Sequence, residues 1–202
     1  MNMAAARVVR PEVQARSGAV SVGLWVFIGV ASTLFALFLL AYVMRLSGSD
    51  GAAIALPWQL WLSTALLVAG SVLLQRARRS AQGPAARALL LGGGACAIGF
   101  LAVQGWAWQV LQSANVMLAS HPAASFFYVL TALHGLHVAG GLAAWEVTLR
   151  AVPPHGDPGD AAWRIALCAR YWHFLLAVWI ALFAAFSWVT PDVARFICGV
   201  PR

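Results

Sequence analysis

Long apolar stretches alternate along the chain with short connectors that are polar or rich in glycine and proline. A helix needs roughly 20 mostly apolar residues to cross a bilayer, so each stretch predicts one membrane-spanning helix. Five stretches qualify, with approximate bounds Val22–Met44, Trp58–Leu74, Ala88–Leu111, Ser125–Leu149 and Ala169–Val189. An earlier start of the fifth, near Trp163, fits the same pattern. The sequence therefore predicts an all-α fold, a bundle of five transmembrane helices.

The chain divides into one membrane domain and two terminal tails. We assign residues 1–20 to an N-terminal tail, 21–190 to the five-helix membrane domain and 191–202 to a C-terminal tail. The first apolar run is too long for the core of a cleavable signal peptide, so we expect it to remain as a span. The connector Val152–Asp160 contains three prolines and two glycines, which predicts a break between helices.

Composition supports a membrane protein. The chain is 62% hydrophobic and 9% charged, whereas a soluble domain is about 45–50% apolar and about 25% charged. The net charge of +7 comes from arginines alone, because the chain has no lysine. These arginines lie in the tails and connectors rather than along one face, so we do not expect a nucleic-acid partner.

The arginines also predict orientation. Ten lie in the N-terminal tail, the second connector and the Arg150–Arg170 region, against three (Arg45, Arg195 and Arg202) on the opposite side. The positive-inside rule then places the N-terminus in the cytoplasm and the C-terminus outside, in the periplasm. An odd number of spans agrees with that result.

Ionisable side chains within the predicted spans are few. His134 and His137 share one face of the fourth span with Thr131 and Gly141. Two histidines on facing helices can hold a haem iron, and His173 in the fifth span could pair with either. The alternative is that these imidazoles make hydrogen bonds between helices or to lipid headgroups, and the absence of buried carboxylates favours it.

Other polar and small residues in the spans suggest packing rather than chemistry. Gly135, Gly140 and Gly141 would let a neighbouring helix approach the fourth span closely, and Gly92, Gly93, Gly94 and Gly99 predict a similar seam in the third. Gln104 is interpreted as a structural hydrogen-bonding residue. No acidic residue lies in the middle of a span, which argues against an ion-coupled transporter.

Two strings of residues resemble one family. The segment from Phe126 to Val138 contains His134-Gly135-Leu136-His137-Val138 and resembles the signature helix of cytochrome c oxidase subunit III. The string Tyr171-Trp172-His173-Phe174 is similar to the last helix of that family. The resemblance covers residues 22 to 190, and the chain is similar to the short, five-helix form.

The resemblance implies a non-redox accessory subunit of a bacterial haem–copper terminal oxidase, in the inner membrane. It implies direct contact with the catalytic subunit I, with subunit II in the same complex and haem and copper held by those partners. The chain itself would have no catalytic residue, cofactor site or metal site, but would contact phospholipid. The chain would stabilise subunit I through its fourth and fifth helices. We expect structural, lipid or subunit contacts from Gln104, Thr131, His134, Gly135, His137, Gly141, Tyr171, Trp172 and His173.

The chain departs from the family pattern at three positions. Ala31, Ala107 and Leu176 stand where the family usually has buried acids, so a role in proton handling is in doubt. The scaffold role does not depend on them. Two other interpretations remain open at this point: an accessory protein of nitric oxide reduction, and a free-standing membrane cytochrome b.

Overall fold

The computed structural model describes residues 11–48, 56–80, 84–116, 122–151 and 158–199. Those residues form six helices and no strand. Five of the helices are long and apolar enough to cross a membrane, which confirms the predicted fold class. The helices are α1 (Pro11–Leu46), α2 (Gln59–Arg79), α3 (Pro84–Ser113), α4 (Pro122–Arg150), α5 (Pro158–Trp188) and α6 (Pro191–Cys198).

The helices extend beyond all five predicted spans, and α1 already begins at Pro11, within the segment assigned to the N-terminal tail. α2 continues past Leu74 through three arginines in its last turn, where cationic side chains interact favourably with the helix dipole. α5 begins at Pro158, well before the predicted start at Ala169. The whole connector Val152–Asp160 was interpreted as a break between helices. A proline is tolerated in the first turn of a helix, because a backbone N–H at that position would have no acceptor within the helix.

The five long helices form a ring that is closed by contacts across its middle. Around the ring, α1 contacts α4, α4 contacts α3, α3 contacts α2, α2 contacts α5, and α5 returns to α1. α4 and α5 also contact each other. α4 and α5 therefore have three neighbours each among the long helices, and both of the sequence strings that resemble subunit III lie on them.

α2 and α3 are joined by a seam of small residues. A Cβ atom added at Gly93 would lie 2.9 Å from Leu74 Cγ and 3.5 Å from the Gly70 carbonyl oxygen. A Cβ atom added at Gly92 would lie 3.2 Å from Leu73 Cδ1, and one added at Gly99 would lie 3.4 Å from Leu66 Cδ1. Because lipid is as apolar as leucine, helices associate in a membrane by close packing of this kind rather than by the hydrophobic effect.

α6 lies in the segment that was assigned to a C-terminal tail. The Thr190 side chain accepts a hydrogen bond from the Val193 N–H, and Pro191 occupies the first turn. Gly199 ends the helix in the left-handed conformation, with φ 66°, which glycine adopts without a steric penalty. The Thr190-Pro191 pair is a helix-start signal that the sequence analysis missed.

Candidate functional site

His134 lies at the centre of the bundle and is fully buried. Its imidazole is surrounded by aromatic rings from three other helices: Phe35 of α1, Phe100 of α3 and Trp179 of α5. The ring centroids lie 6.3, 5.6 and 5.3 Å from that of His134, respectively. Neither ring nitrogen has a hydrogen-bond partner among the described residues. The side chain therefore acts here through its shape and its ring contacts.

His137 occupies the same face of α4, one turn further along, and is half-buried. Its Nδ1 lies 2.7 Å from the Leu133 carbonyl oxygen, so the proton at Nδ1 is donated to that oxygen. The ring lies 5.7 Å from that of Phe27 and 5.3 Å from that of Phe35, centroid to centroid. The Tyr171 hydroxyl donates to the His137 carbonyl oxygen at 3.0 Å, joining α5 to α4. His137 thus connects α1, α4 and α5.

Gly141 lies at a close contact between α4 and α5. A Cβ atom added at Gly141 would overlap the Trp172 ring and lie 3.0 Å from Tyr171 Cε1. At the neighbouring Gly140, an added Cβ would meet no heavy atom within 4 Å, and at Gly135 only Leu101 at 3.7 Å. Within this chain, Gly141 is thus the one of the three that a neighbouring helix approaches closely, and contact of Gly135 or Gly140 with a partner stays a prediction. Their spacing could not show that α4 turns only Gly141 toward α5.

Two tryptophans join α3 and α4. Trp108 Nε1 donates to Thr131 Oγ1 at 3.2 Å, and Thr131 Oγ1 donates in turn to the Phe127 carbonyl oxygen at 2.7 Å. Trp145 Nε1 donates to the Leu90 carbonyl oxygen at 2.8 Å, and its ring fills the space where Gly94 has no side chain. The two hydrogen bonds therefore fix α3 against α4 at two well-separated positions.

Gln104 makes a polar contact between α3 and α2. Its Nε2 donates to Ser63 Oγ at 3.2 Å, and both side chains are buried. Its Oε1 has no hydrogen-bond partner among the described residues. On the next residue of α2, Thr64 Oγ1 accepts a hydrogen bond from Trp179 Nε1 at 2.9 Å. Ser63 and Thr64 thus connect α2 to both α3 and α5.

His173 occupies a different environment from His134. It is exposed, and its Nδ1 is paired with the Ala169 carbonyl oxygen of its own helix. His134 is enclosed by Phe35, Phe100 and Trp179, so this arrangement does not bring the two imidazoles face to face. The free thiols of Cys96, Cys168 and Cys198 are half-buried, buried and exposed, respectively. Within the described ranges, no three histidine, cysteine or acidic side chains converge as metal ligands.

Comparison with known proteins finds relatives that are similar to part of the chain. No protein-family model matches the chain. Over 91 residues the chain is 38% identical to a protein described as "Probable cytochrome c oxidase subunit 3" from Nocardia farcinica, a segment covering 45% of this chain and 44% of that protein. This partial similarity supports the cytochrome c oxidase subunit III family for the chain. The chain spans less than half the length of the curated relatives that it matches.

Relatives of the subunit III family come from more than one kind of oxidase. One is described as "Cytochrome bo(3) ubiquinol oxidase subunit 3" from Pseudomonas putida, and is 37% identical over 59 residues, 29% of this chain and 28% of that protein. Another, "Cytochrome c oxidase subunit 3" from Synechocystis, is 43% identical over 61 residues, 30% of this chain and 26% of that protein.

The three positions at which the resemblance implied an acid are packed as apolar residues. Ala31 and Ala107 are buried, and Leu176 is half-buried against the core. The side chains at these positions can neither donate nor accept a proton. A proton path through this chain would therefore need other groups.

The sequence analysis did not include the aromatic partners of His134 among the site residues. Phe35 recurs at a helical interval after Ala31, and both are buried on the inner side of α1, so periodicity could have found this face. Arg170 was also missed: its guanidinium donates to Ser21 Oγ at 3.1 Å and lies 5.5 Å from the Trp25 ring centroid. No local signal pairs residues so far apart in sequence.

Proposed function

We propose that this chain is the non-redox accessory subunit III of a bacterial haem–copper terminal oxidase in the inner membrane. The observation that carries the proposal is its similarity to proteins described as subunit 3 of cytochrome c and ubiquinol oxidases. In this proposal the complex passes electrons from cytochrome c or quinol to oxygen, and the haems and copper are in the partner subunits.

The packing of the bundle centre supports a scaffold role. The ring of His134 contacts those of Phe35, Phe100 and Trp179 at the centre of the bundle. The last two rings also contact each other. The tryptophan N–H groups of Trp108, Trp145 and Trp179 all donate to another helix. These contacts fix the relative positions of α2, α3, α4 and α5, so the chain presents a defined outer surface to a neighbour.

The outward faces of α4 and α5 are the surface that we assign to subunit I. On α4, Val129 and Leu136 are exposed and apolar, and on α5 Ile180 is. The buried residues Thr131, His134, Gly141 and Trp172 cannot touch a partner, so their contribution to the complex is to position these outer residues. Subunit II would belong to the same complex.

Phospholipid is expected in a groove between α1, α4 and α5. The groove has a volume of about 460 Å³ and a mainly apolar lining that includes Phe27, Leu167 and Tyr171. Arg164 and Trp163 also line it, and neither Arg164 Nε nor Trp163 Nε1 has a hydrogen-bond partner among the described residues. A phosphate headgroup would supply acceptors for both. Mass spectrometry of lipid retained by the wild type and by Arg164→Gln tests this assignment.

The first experiment is purification of the tagged chain from its native membranes in mild detergent. We expect a large haem–copper subunit I and a copper-containing subunit II to co-purify. If nitric oxide reductase chains co-purify instead, the chain is an accessory protein of nitric oxide reduction. A chain that purifies alone would contradict the subunit role, and a Soret band in its absorbance spectrum would indicate a cytochrome b.

A second experiment tests the assigned surface. Leu136→Trp on α4 and Leu37→Trp on α1 place the same bulky side chain at exposed positions, with 68% and 58% of the leucine accessible. We expect Leu136→Trp to reduce the recovery of subunit I strongly and Leu37→Trp to leave it near the wild-type level. Equal recovery with both variants, each present in the membrane at wild-type amounts, would show that α4 is not the contact surface.

A further inference from the structure

α6 is held at the end of the bundle rather than projecting from it. α5 ends at Trp188, and only Val189 and Thr190 precede α6. Because successive spans alternate in direction, the C-terminal ends of α1 and α5 lie on the same side of the membrane. α6 packs against α1, and Ala194 is fully buried. The chain therefore turns back at the membrane boundary and crosses to the end of α1.

The residues of α6 separate into three faces. At about 100° per residue, Ala194 faces the bundle, while Asp192 and Arg195 lie on a second side, joined by an ion pair of 2.6 Å. Val193, Phe196 and Ile197 form the third face, and all three are exposed. Phe196 has 87% of its surface accessible. We call this third set the apolar face of α6.

The position of the apolar face indicates which partner covers it. It begins within a few residues of the end of a membrane-spanning helix, next to Trp188, whose ring is exposed at that end. Tryptophan is enriched at this depth in membranes. A helix with one apolar face and one charged face, placed at the boundary, has the pattern of a helix that lies in the membrane interface. The charged residues of α6 neutralise each other, so its attraction to lipid would come from apolar contact.

We propose that α6 lies in the bilayer interface at the C-terminal end of α5, with Val193, Phe196 and Ile197 inserted among the lipids. The partner is the lipid surface that surrounds the bundle, and the inserted face is continuous with the lipid-facing surface of α5. This inference does not depend on the proposed oxidase role, since it requires only that α5 spans a membrane.

The test uses single cysteines on the full chain in vesicles. In a Cys198→Ser background, Ile197→Cys places a fluorescent label on the apolar face, and Asp192→Cys places the same label about 140° away on the charged face. Both positions are exposed, so the bundle should assemble in both variants, and Phe196→Cys provides a second probe of the apolar face. The background variant alone measures labelling of Cys96 and Cys168.

We expect the label at 197 to emit at shorter wavelength, to be quenched by lipids brominated near the headgroup and to be protected from aqueous iodide. The label at 192 should show the reverse. Equal quenching of both labels by iodide would overturn the proposal. Protection of position 197 from both quenchers would also overturn it, because the apolar face would then be covered by protein.

Discussion

α2 and α3 pack through glycines and leucines along their length, whereas α1 is attached to the bundle by aromatic rings on one side. A Cβ atom added at Gly93 of α3 would press on Leu74, but one added at Gly18, Gly23 or Gly29 of α1 would meet no heavy atom within 4 Å. Most of the large apolar side chains of α1 are exposed. The comparison shows that glycine in a membrane helix marks a contact only where the glycine faces a neighbour.

The two regions also differ in how far their packing depends on a single side chain. The α2–α3 seam distributes its contacts over several small residues and one side-chain hydrogen bond. On α1, the rings of Phe35 and Tyr42 contact two other helices: both rings contact α4, and the Tyr42 ring also contacts α5. Loss of one ring should therefore loosen α1 more than loss of any single contact loosens α2 from α3.

The largest expected effect is that of Phe35→Ala. The substitution removes the ring that contacts both His134 and His137 and leaves a cavity in the core, which costs about 3 kcal/mol, near the lower limit for such truncations. Unfolding of the purified chain in mixed detergent micelles measures the loss. The control is Phe38→Ala on the exposed side of the same helix, which should change the free energy of unfolding little. Equal losses would mean that the ring contacts do not hold α1.

Gly93→Leu should come next. The new side chain would separate α2 from α3 at Leu74 and the Gly70 backbone, and overpacking of this kind costs about 1–3 kcal/mol. Gly29→Leu introduces the same side chain where α1 has no close neighbour, so it should be tolerated. The same unfolding measurement compares them. A stable Gly93→Leu chain would show that the seam can open without cost.

His134 joins the two regions, and two substitutions separate its shape from its polarity. His134→Ala should cost about 2 kcal/mol, because the rings of Phe35, Phe100 and Trp179 lose a neighbour. His134→Leu retains most of the volume and removes two unpaired nitrogens, so it should be neutral or stabilise the chain by about 1 kcal/mol. If both variants lose stability equally, a polar interaction of the imidazole stabilises the chain, and the explanation by packing alone is wrong.

The smallest effect should come from the hydrogen bond between α2 and α3. Ser63→Ala leaves Gln104 Nε2 without its acceptor and should cost about 0.6–1 kcal/mol. In the Gln104→Leu background the same substitution should cost less, because the donor is already gone. A double-mutant cycle over the four chains gives the coupling energy. A coupling of zero would remove this hydrogen bond from the description of the seam.

The sequence predicts the helices much better than it predicts their contacts. All five spans follow from apolar length, since a bilayer leaves helices as the only way to pair each backbone group in a single segment. The boundaries were less accurate where two signals compete: the glycines and prolines before α5 suggested a break, although Pro158 starts the helix. α6 was missed because it is short and charged, although its capping residues were visible.

The contacts depend on which way each helix is turned, and that is not a local property. The spacing of His134 and His137 correctly placed them on one face, but it could not show that Phe35, Phe100 and Trp179 would enclose one imidazole and not the other. For the same reason, the sequence could not show that Gly141 contacts α5 and that Gly140 has no close neighbour. The predicted orientation of the termini rests on the arginine distribution and stays a prediction that labelling from either side of the membrane can test.

The neighbours of α1 have a consequence for biosynthesis. Among the described residues, α1 packs against α4, α5 and α6 but not against α2 or α3, so everything that it touches is translated later. While the ribosome is still making α4, the nascent α1 has only lipid around it, and α2 and α3 can already form a hairpin. α1 can therefore pack against the bundle only after α4 and α5 have been inserted. In a translation product truncated before α4, α1 would lack the helices that it contacts.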